Sequence, residues 1–151
     1  MSRIVIIGAS HSGITLADLL RKNGYKEEIL IFEQSMEFPF ERPPLSKSFI
    51  SNIHIANYKP NLIRGLDWYK ANNILLKLGI KVKKIKTREN IISLEDGSEI
   101  KFTKLVIATG ANPNLLPKEI CKSNNALVLR NFEDAKQILK AIKKIGSVQI
   151  I

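Results

Sequence analysis

The stretch RIVIIGASHSG, residues 3–13, decides the fold. Arg3–Gly8 is a run of β-branched residues that ends in glycine, which is typical of a strand buried on both faces. Ser12–Asn23 has the apolar spacing of a helix, and Gly24 follows as its stop. Glu28–Glu33 (EILIFE) predicts a second buried strand. The three segments form a βαβ unit whose crossover is right-handed.

The loop between the first strand and the helix has a glycine pattern that suits a pyrophosphate. Gly8 permits a tight turn, and Gly13 permits close packing of the helix on the strand. The helix N-terminus offers N–H groups and a partial positive charge to phosphates. Ser10 replaces the second glycine of the usual fingerprint, leaves the phosphate path mostly open and could donate a hydrogen bond.

Glu33, at the end of the second strand, has the spacing of an acid that accepts hydrogen bonds from an adenosine ribose and repels a 2′-phosphate. Strand, loop, helix and spaced acid together favour adenine-dinucleotide binding over a merely structural glycine turn.

The rest of the chain predicts an α/β fold with a β-meander. Prolines exclude regular structure after Ser35 until a short helix opens at Pro44 or Leu45, and Leu66–Asn72 predicts another short helix. Asp96-Gly97 is a hairpin signal. The further predicted strands are Ile74–Leu76, Lys81–Lys86, Ile91–Leu94, Glu99–Phe102, Lys104–Ala108 and Ala126–Leu129. Near the end we expect an amphipathic helix over Phe132–Ile145 with Asn131 as N-cap, and a buried-type strand from Ser147 to Ile151.

Composition narrows the function classes. The 151 residues are 44% hydrophobic and include one cysteine, Cys121, and two histidines, His11 and His54. These counts exclude a disulfide framework and a cysteine redox pair, and we expect no metal site. Cys121 is expected to be a packing residue, and His11 is expected to be exposed at the start of the helix rather than to act as a catalytic base. His54 has no recognisable partner. Without a membrane-span pattern or a signal peptide, we expect a cytoplasmic chain with no membrane contact.

The chain is basic, with 24 Lys+Arg against 14 Asp+Glu and a formal net charge of +10. Its densest positive patch is Lys81, Lys83, Lys84 and Lys86. Arginine and aromatic residues do not interleave there as a nucleic-acid surface would favour. We therefore favour a solvated face or an acidic partner over nucleic acid.

Glu41-Arg42-Pro43-Pro44-Leu45-Ser46-Lys47 resembles the xRPPLSK segment of flavin-dependent ferredoxin reductases. Features similar to that family occur in the same order along essentially the whole chain: the glycine loop, Asp96-Gly97, Ala108-Thr109-Gly110, and Leu129-Arg130 before Asp134-Ala135. The resemblance implies the Rossmann-like FAD-binding domain of the pyridine nucleotide-disulfide oxidoreductase superfamily, with a glutathione-reductase-like fold. The cysteine pair of its disulfide reductases is missing here, because RPPLSK occupies the corresponding stretch.

The resemblance also implies roles for single residues. Ser12 would lie beside the FAD pyrophosphate, and Glu33 or its neighbour Gln34 would bind the adenosine ribose. Lys47 would lie near the N5 edge of the flavin, where its cation would stabilise incoming electron density; the alternative is a solvated lysine.

Five further positions are expected at the cofactor. Val82 would offer backbone hydrogen bonds to adenine, unless it is an ordinary core residue. Thr109 and Gly110 would pass close to FAD, and Arg130 would contact it. Arg42 would contact the cofactor or pair with Glu41 or Glu37.

In the family, a second glycine motif for NAD(P)H would follow the strand at Ser147, so residues 1–146 are expected to form the FAD-binding domain and 147–151 to begin an NAD(P)-binding domain. The complete enzyme would pass hydride from NAD(P)H to FAD and single electrons to an iron–sulfur protein such as an acidic ferredoxin. The chain alone is expected to be inactive, with a FAD domain incomplete at its carboxyl end, and to self-associate through apolar surface near Lys104–Ala108. The alternatives are a non-catalytic nucleotide-binding remnant or accessory chain and a basic nucleic-acid-binding module.

Overall fold

The structure, a computed structural model, describes residues 2–52, 61–115, 117 and 126–145. The expectations for His54, Cys121 and the strand at 147–151 lie outside the described residues. The chain divides into two compact units: a first unit of Met1–Phe40 with Leu62–Gly110, and a second unit of Glu41–Asn61 with Ala111–Ile151.

The described elements follow the predicted order closely. The strands are β1 (Arg3–Ile7), β2 (Glu28–Phe32), β3 (Ile74–Lys77), β4 (Val82–Lys86), β5 (Ile91–Leu94), β6 (Glu99–Lys101) and β7 (Lys104–Ile107). The helices are α1 (His11–Lys22), a 3₁₀ helix (Pro43–Ser46), α2 (Ser48–Ser51), α3 (Leu66–Ala71) and α4 (Phe132–Ile145). Helix α2 is the one described element that the sequence analysis did not separate from its neighbour.

The first unit is built on a parallel sheet in the order β3-β2-β1-β7 and an antiparallel meander in the order β4-β5-β6. Because side chains alternate along a strand, the residues of β1 divide between two cores. Ile4 and Ile6 pack on one face with the buried residues of α1 and α3, while Val5 packs on the other face with Ile92 and Leu94 of the meander. The apolar run of β1 is therefore buried on both sides, which confirms the α/β prediction.

The predicted strand at Ala126–Leu129 is wrong. These residues have no regular structure, and Leu127 and Leu129 are exposed. An apolar β-type run becomes a strand only when its backbone pairs with a neighbour. No strand within the described ranges pairs with it.

Arg21 secures the end of α1. Its guanidinium donates hydrogen bonds to the carbonyl oxygens of Tyr25 and Glu27 at 2.6 and 2.8 Å, and to those of Asn72 and Asn73 at 2.6 and 2.7 Å. The last two carbonyls follow α3, so one side chain joins the ends of two helices. A planar guanidinium has the several fixed donors that this role needs.

No helix in the described ranges has the length and apolarity to cross a membrane. The same ranges contain no cluster of three or more His, Cys, Asp or Glu side chains that could hold a metal ion.

Tyr69 in α3 provides a stability test. It is 5% exposed, and its hydroxyl has no hydrogen-bond partner within the described part of the chain. An unsatisfied buried hydroxyl is destabilising, so Tyr69→Phe should raise the free energy of unfolding by about 1 kcal/mol. Burial also raises the pKa of Tyr69 from 10.0 to about 12. The unfolded chain then releases this proton at lower pH than the folded chain does, so the wild type should lose stability between these pH values.

Urea unfolding at pH 7 and pH 11 measures both effects, and the advantage of Tyr69→Phe should be larger at pH 11. Tyr25→Phe is the matched control. The Tyr25 hydroxyl lies 3.3 Å from Ser2 Oγ, so this variant loses a hydrogen bond and should not gain stability. A lower unfolding free energy for Tyr69→Phe at pH 7 would contradict the prediction.

Candidate functional site

Gly8 lies where the carboxyl ends of β1, β2 and β7 meet. Its N–H donates to the carbonyl oxygen of Phe32 at 2.8 Å, and its φ of +102° lies in the region that favours glycine. A Cβ at this position would stand 2.4 Å from the carbonyl oxygen of Ala108 and 3.1 Å from the Cα of Thr109. Only a glycine fits between these strand ends.

Gly13 brings α1 against the same loop. A Cβ there would stand 2.1 Å from the carbonyl oxygen of Gly8 and 3.3 Å from Cγ2 of Ile6. The backbone of Gly13 therefore lies against the Gly8 carbonyl group, which is possible only because Gly13 has no side chain. This close approach is the packing that the glycine pattern predicts.

The N-terminus of α1 has free capacity for an anion. The first helical hydrogen bond runs from the Ile14 N–H to the Ser10 carbonyl oxygen at 3.0 Å, so the preceding amides have no partner within the helix. Ser10 is the N-cap, and its side chain makes no capping bond. Ser12 is exposed in the first turn, which contains no acidic residue. This arrangement leaves amides, two hydroxyl groups and the positive end of the helix dipole at one place.

Glu33 directly follows β2, and its side chain orders the glycine loop. Its Oε2 accepts the Ala9 N–H at 2.9 Å, and its Oε1 accepts the Ser35 N–H at 3.0 Å. The side chain is half-buried, and each carboxylate oxygen keeps a further lone pair. The spacing of Glu33 predicts a ribose ligand, whereas its contact with Ala9 has no signal in the sequence. The adjacent Gln34 is exposed.

Val82 and the end of β7 complete the predicted positions in the first unit. Val82 is half-buried against the core of the meander and pairs with Leu94, and the register shifts between Val82 and Lys84. A bulge of this kind disrupts the regular backbone pairing of the strand locally. Thr109 and Gly110 are exposed directly after β7, and Gly110 has a φ of +70°.

Arg42, Lys47 and Arg130 belong to the second unit. Arg42 precedes the 3₁₀ helix, and its carbonyl oxygen accepts the Leu45 N–H at 2.9 Å. The Lys47 N–H donates to the Pro44 carbonyl oxygen at 3.0 Å, while its side chain is exposed. Pro43 and Pro44 are the first two residues of the short helix, where a proline is tolerated because an N–H would have no partner within the helix.

The turn before α4 is fixed by Asp134. Its Oδ2 accepts the N–H groups of Arg130 and Asn131 at 2.8 and 2.9 Å, and its own N–H donates to Asn131 Oδ1 at 2.8 Å. This reciprocal capping confirms Asn131 as the N-cap. Within the same unit the Phe49 and Phe132 rings lie 4.8 Å apart, so the start of α4 packs against α2, which follows the RPPLSK segment.

The structure thus brings Gly8, Ser10, Ser12, Gly13 and Glu33 together at one end of the parallel sheet. The cofactor roles of these five residues stay predictions, as do the flavin role of Lys47 and the cofactor contacts of Gln34, Arg42, Val82, Thr109, Gly110 and Arg130.

Known proteins resemble the whole chain. Residues 2–151 match the family described as pyridine nucleotide-disulphide oxidoreductase. The rubredoxin-NAD(+) reductase of Ectopseudomonas oleovorans is 34% identical over 148 residues, which are 98% of this chain and 38% of that protein. The ferredoxin–NAD(+) reductase component of a Pseudomonas putida p-cumate 2,3-dioxygenase system is 35% identical over 151 residues, which are 100% of this chain and 37% of that protein.

A solved structure supports the same assignment. The covalent putidaredoxin reductase–putidaredoxin complex matches with a TM-score of 0.83 and 32% identity, over 93% of this chain and 34% of that one. The chain therefore spans little more than a third of the length of these relatives. The family match over residues 2–151 includes the glycine loop, the acid and the meander, so the chain belongs to the pyridine nucleotide-disulphide oxidoreductase family.

Proposed function

We propose that the chain supplies the part of a flavoprotein reductase that binds the adenosine and pyrophosphate half of FAD. Enzymes of this family bind FAD. The observation that carries the proposal is the hydrogen bond between the acid and the loop. Glu33 accepts the Ala9 N–H, and there is no room for a side chain at Gly8 or Gly13. The loop is therefore fixed close to the helix N-terminus, where a pyrophosphate binds to backbone N–H groups that no side chain covers.

The residues fit the cofactor in kind. The amides of the first turn, with the Ser10 and Ser12 hydroxyls, would hold the phosphates, and the remaining lone pairs of Glu33 would accept the ribose hydroxyls. Thr109 and Gly110, exposed beside Gly8, would pass along the cofactor, and the backbone at Val82 would meet the adenine. From the family resemblance alone, Arg42 and Arg130 are proposed to contact FAD, with Lys47 as the cation at the flavin.

In the whole protein, bound FAD would supply the ability to accept hydride from NAD(P)H and to release single electrons to an iron–sulfur protein. We place the FAD-binding domain at residues 1–146 and the start of an NAD(P)-binding domain at 147–151. A chain with one cysteine needs no oxidising compartment, which suits the cytoplasm.

The net charge of +10 suits an acidic ferredoxin-type partner, since complementary charge speeds association. The lysines of β4 are a weaker patch than their number suggests, because Lys86 Nζ lies 2.6 Å from Glu99 Oε1. Self-association is proposed at β7, which lies at the edge of the sheet formed by the described strands and carries Ile107 at 63% exposure.

Titration calorimetry of the chain with ADP and with FAD tests the binding proposal. Both ligands should bind with one site, and ADP should compete with FAD because they share the adenosine and pyrophosphate groups. A duplex DNA oligonucleotide at moderate salt should not bind. Absence of ADP binding by the folded chain would reject the proposal, and salt-resistant DNA binding would favour the nucleic-acid alternative.

Lys47 has a separate test in a complete reductase that contains this chain. Lys47→Ala should slow reduction of the bound flavin by NAD(P)H on the order of tenfold and leave ADP affinity nearly unchanged, since it removes a cation from the flavin side alone. Lys47→Arg keeps the charge and should retain most of the rate. Stopped-flow absorbance measures the reduction, and an unaltered rate in Lys47→Ala would identify Lys47 as a solvated lysine.

A further inference from the structure

The backbone beyond β2 continues along the same edge of the sheet as the glycine loop. The Ile80 N–H donates to the carbonyl oxygen of Glu33 at 3.0 Å, and the Gly79 N–H donates to that of Ser35 at 2.9 Å. The Ser35 hydroxyl oxygen accepts the Glu37 N–H at 3.0 Å, which fixes the turn that contains Met36. The segment after the acid is therefore an ordered extension of the site.

Met36 is held on this extension with its side chain in solvent. It is 78% exposed, the highest value among the large apolar side chains that the structure describes. Its thioether lies directly against Gly79, where a Cβ would stand 2.2 Å from the Met36 sulfur and 3.5 Å from its Cγ. Gly79 also has a φ of +68°, so this position is suited to glycine on two grounds.

We propose that Met36, seated on Gly79, forms the apolar surface against which the adenine ring of the dinucleotide packs. The inference rests on the proposed function. Glu33 is expected to hold the ribose, and the base is attached to that ribose, so adenine is expected beside Glu33, where the following segment offers an exposed apolar side chain. The exposed thioether is an adaptable apolar group that a planar base can bury, and the backbone near Val82, just beyond Gly79, is expected to meet the polar edge of the base.

Met36→Ala tests the contact without disturbing the core. Its ADP affinity should fall about fivefold, because part of the adenine loses its apolar partner. The affinity for inorganic pyrophosphate, measured by competition with ADP, should equal that of the wild type. Leu19→Ala, which removes another exposed apolar side chain from α1, is the control and should leave ADP affinity unchanged.

Gly79→Ala tests the support beneath the thioether. Its Cβ must displace Met36, so ADP affinity should fall to a similar extent. Gly97→Ala is matched to it because Gly97 has a φ of +86° and no atom within 4 Å of its Cβ position, so it imposes backbone strain alone. The double variant Met36→Ala/Gly79→Ala should bind ADP as weakly as Met36→Ala and no weaker, since both changes remove the same apolar surface.

Calorimetry with ADP and sedimentation velocity separate the outcomes. Wild-type ADP affinity in Met36→Ala would overturn the inference and leave the proposed function intact. A Met36→Ala variant that changes the oligomeric state at wild-type ADP affinity would overturn it in favour of a second copy of the chain on Met36. A wild-type chain that binds no ADP would reject the proposed function itself.

Discussion

Replacing Gly13 with alanine should cost the chain both folding stability and nucleotide affinity. The new Cβ would stand 2.1 Å from the carbonyl oxygen of Gly8, and a backbone atom in a loop fixed at both ends cannot rotate away as a side chain can. Either α1 shifts from the sheet or the loop opens, and each movement disrupts packing at Ile6 and Ile14, which are both fully buried. Overpacking of this kind costs about 3 kcal/mol.

The ligand effect should exceed the stability effect. Movement of α1 carries the first-turn amides away from the position set by Gly8 and Glu33, so the phosphates lose several donors together. We expect ADP affinity to fall at least about a hundredfold, which corresponds to two charge-assisted hydrogen bonds. Urea unfolding and ADP calorimetry at a temperature where the variant is folded measure the two losses separately.

Gly65→Ala is the matched control. Gly65 precedes α3 in the same unit, its φ of −67° suits any residue, and nothing lies within 4 Å of its Cβ position. That variant should bind ADP as the wild type does, with nearly unchanged stability. A folded Gly13→Ala variant with wild-type ADP affinity would show that the glycine pattern serves packing alone.

The elements of the first unit could be predicted because their signals are local. A β-branched run predicts β1, a glycine follows it where φ is positive, and the apolar spacing of α1 defines its buried face. The Asp96-Gly97 pair likewise predicts the turn between β5 and β6, where Asp96 Oδ1 accepts the Ser98 N–H at 2.9 Å. Each of these patterns is contained in a few consecutive residues.

Other features depend on partners distant in the chain. The Glu33–Ala9 bond joins the ends of two strands and depends on a side-chain conformation that spacing does not specify. The contact of Met36 with Gly79 forms because the segment after β2 lies beside the segment that connects β3 to β4. Ala126–Leu129 shows the converse failure, since its β-type residues have no strand to pair with among those described. A local sequence pattern predicts a helix or strand, but contacts between distant residues depend on how these elements pair.

Charge shows the same division. Composition identifies a basic chain, and the pattern identifies the lysines of β4, but only the fold shows that Glu99 pairs with the charge of Lys86. Its hydrogen bond with Glu99 raises the pKa of Lys86 and lowers that of Glu99. Because the pair lies on the exposed surface of the meander, it contributes little to stability, yet it reduces the positive patch available to a partner.

Glu33→Gln should weaken ADP binding and narrow the discrimination against a 2′-phosphate. The carboxylate accepts two backbone N–H groups with its two oxygens, whereas an amide has one acceptor oxygen and an NH₂ group. In either orientation the NH₂ would face the N–H of Ala9 or of Ser35, so one donor loses its partner. The unfolding free energy should fall by about 1–2 kcal/mol, and ADP affinity about tenfold, because the loop amides and the ribose lose the group that orders them.

The ratio of two affinities identifies the role of the charge. The wild type should prefer AMP to adenosine 2′,5′-bisphosphate, which differs from AMP only by the 2′-phosphate, since an anionic Glu33 repels a phosphate on the ribose 2′ oxygen, and Glu33→Gln should reduce that preference. Glu27→Gln, an equal change of charge on an exposed side chain just before β2, should change neither affinity nor preference. If Glu33→Gln lost affinity for both nucleotides equally, Glu33 would act only by holding the loop at Ala9, and the ribose would have to be bound by another residue.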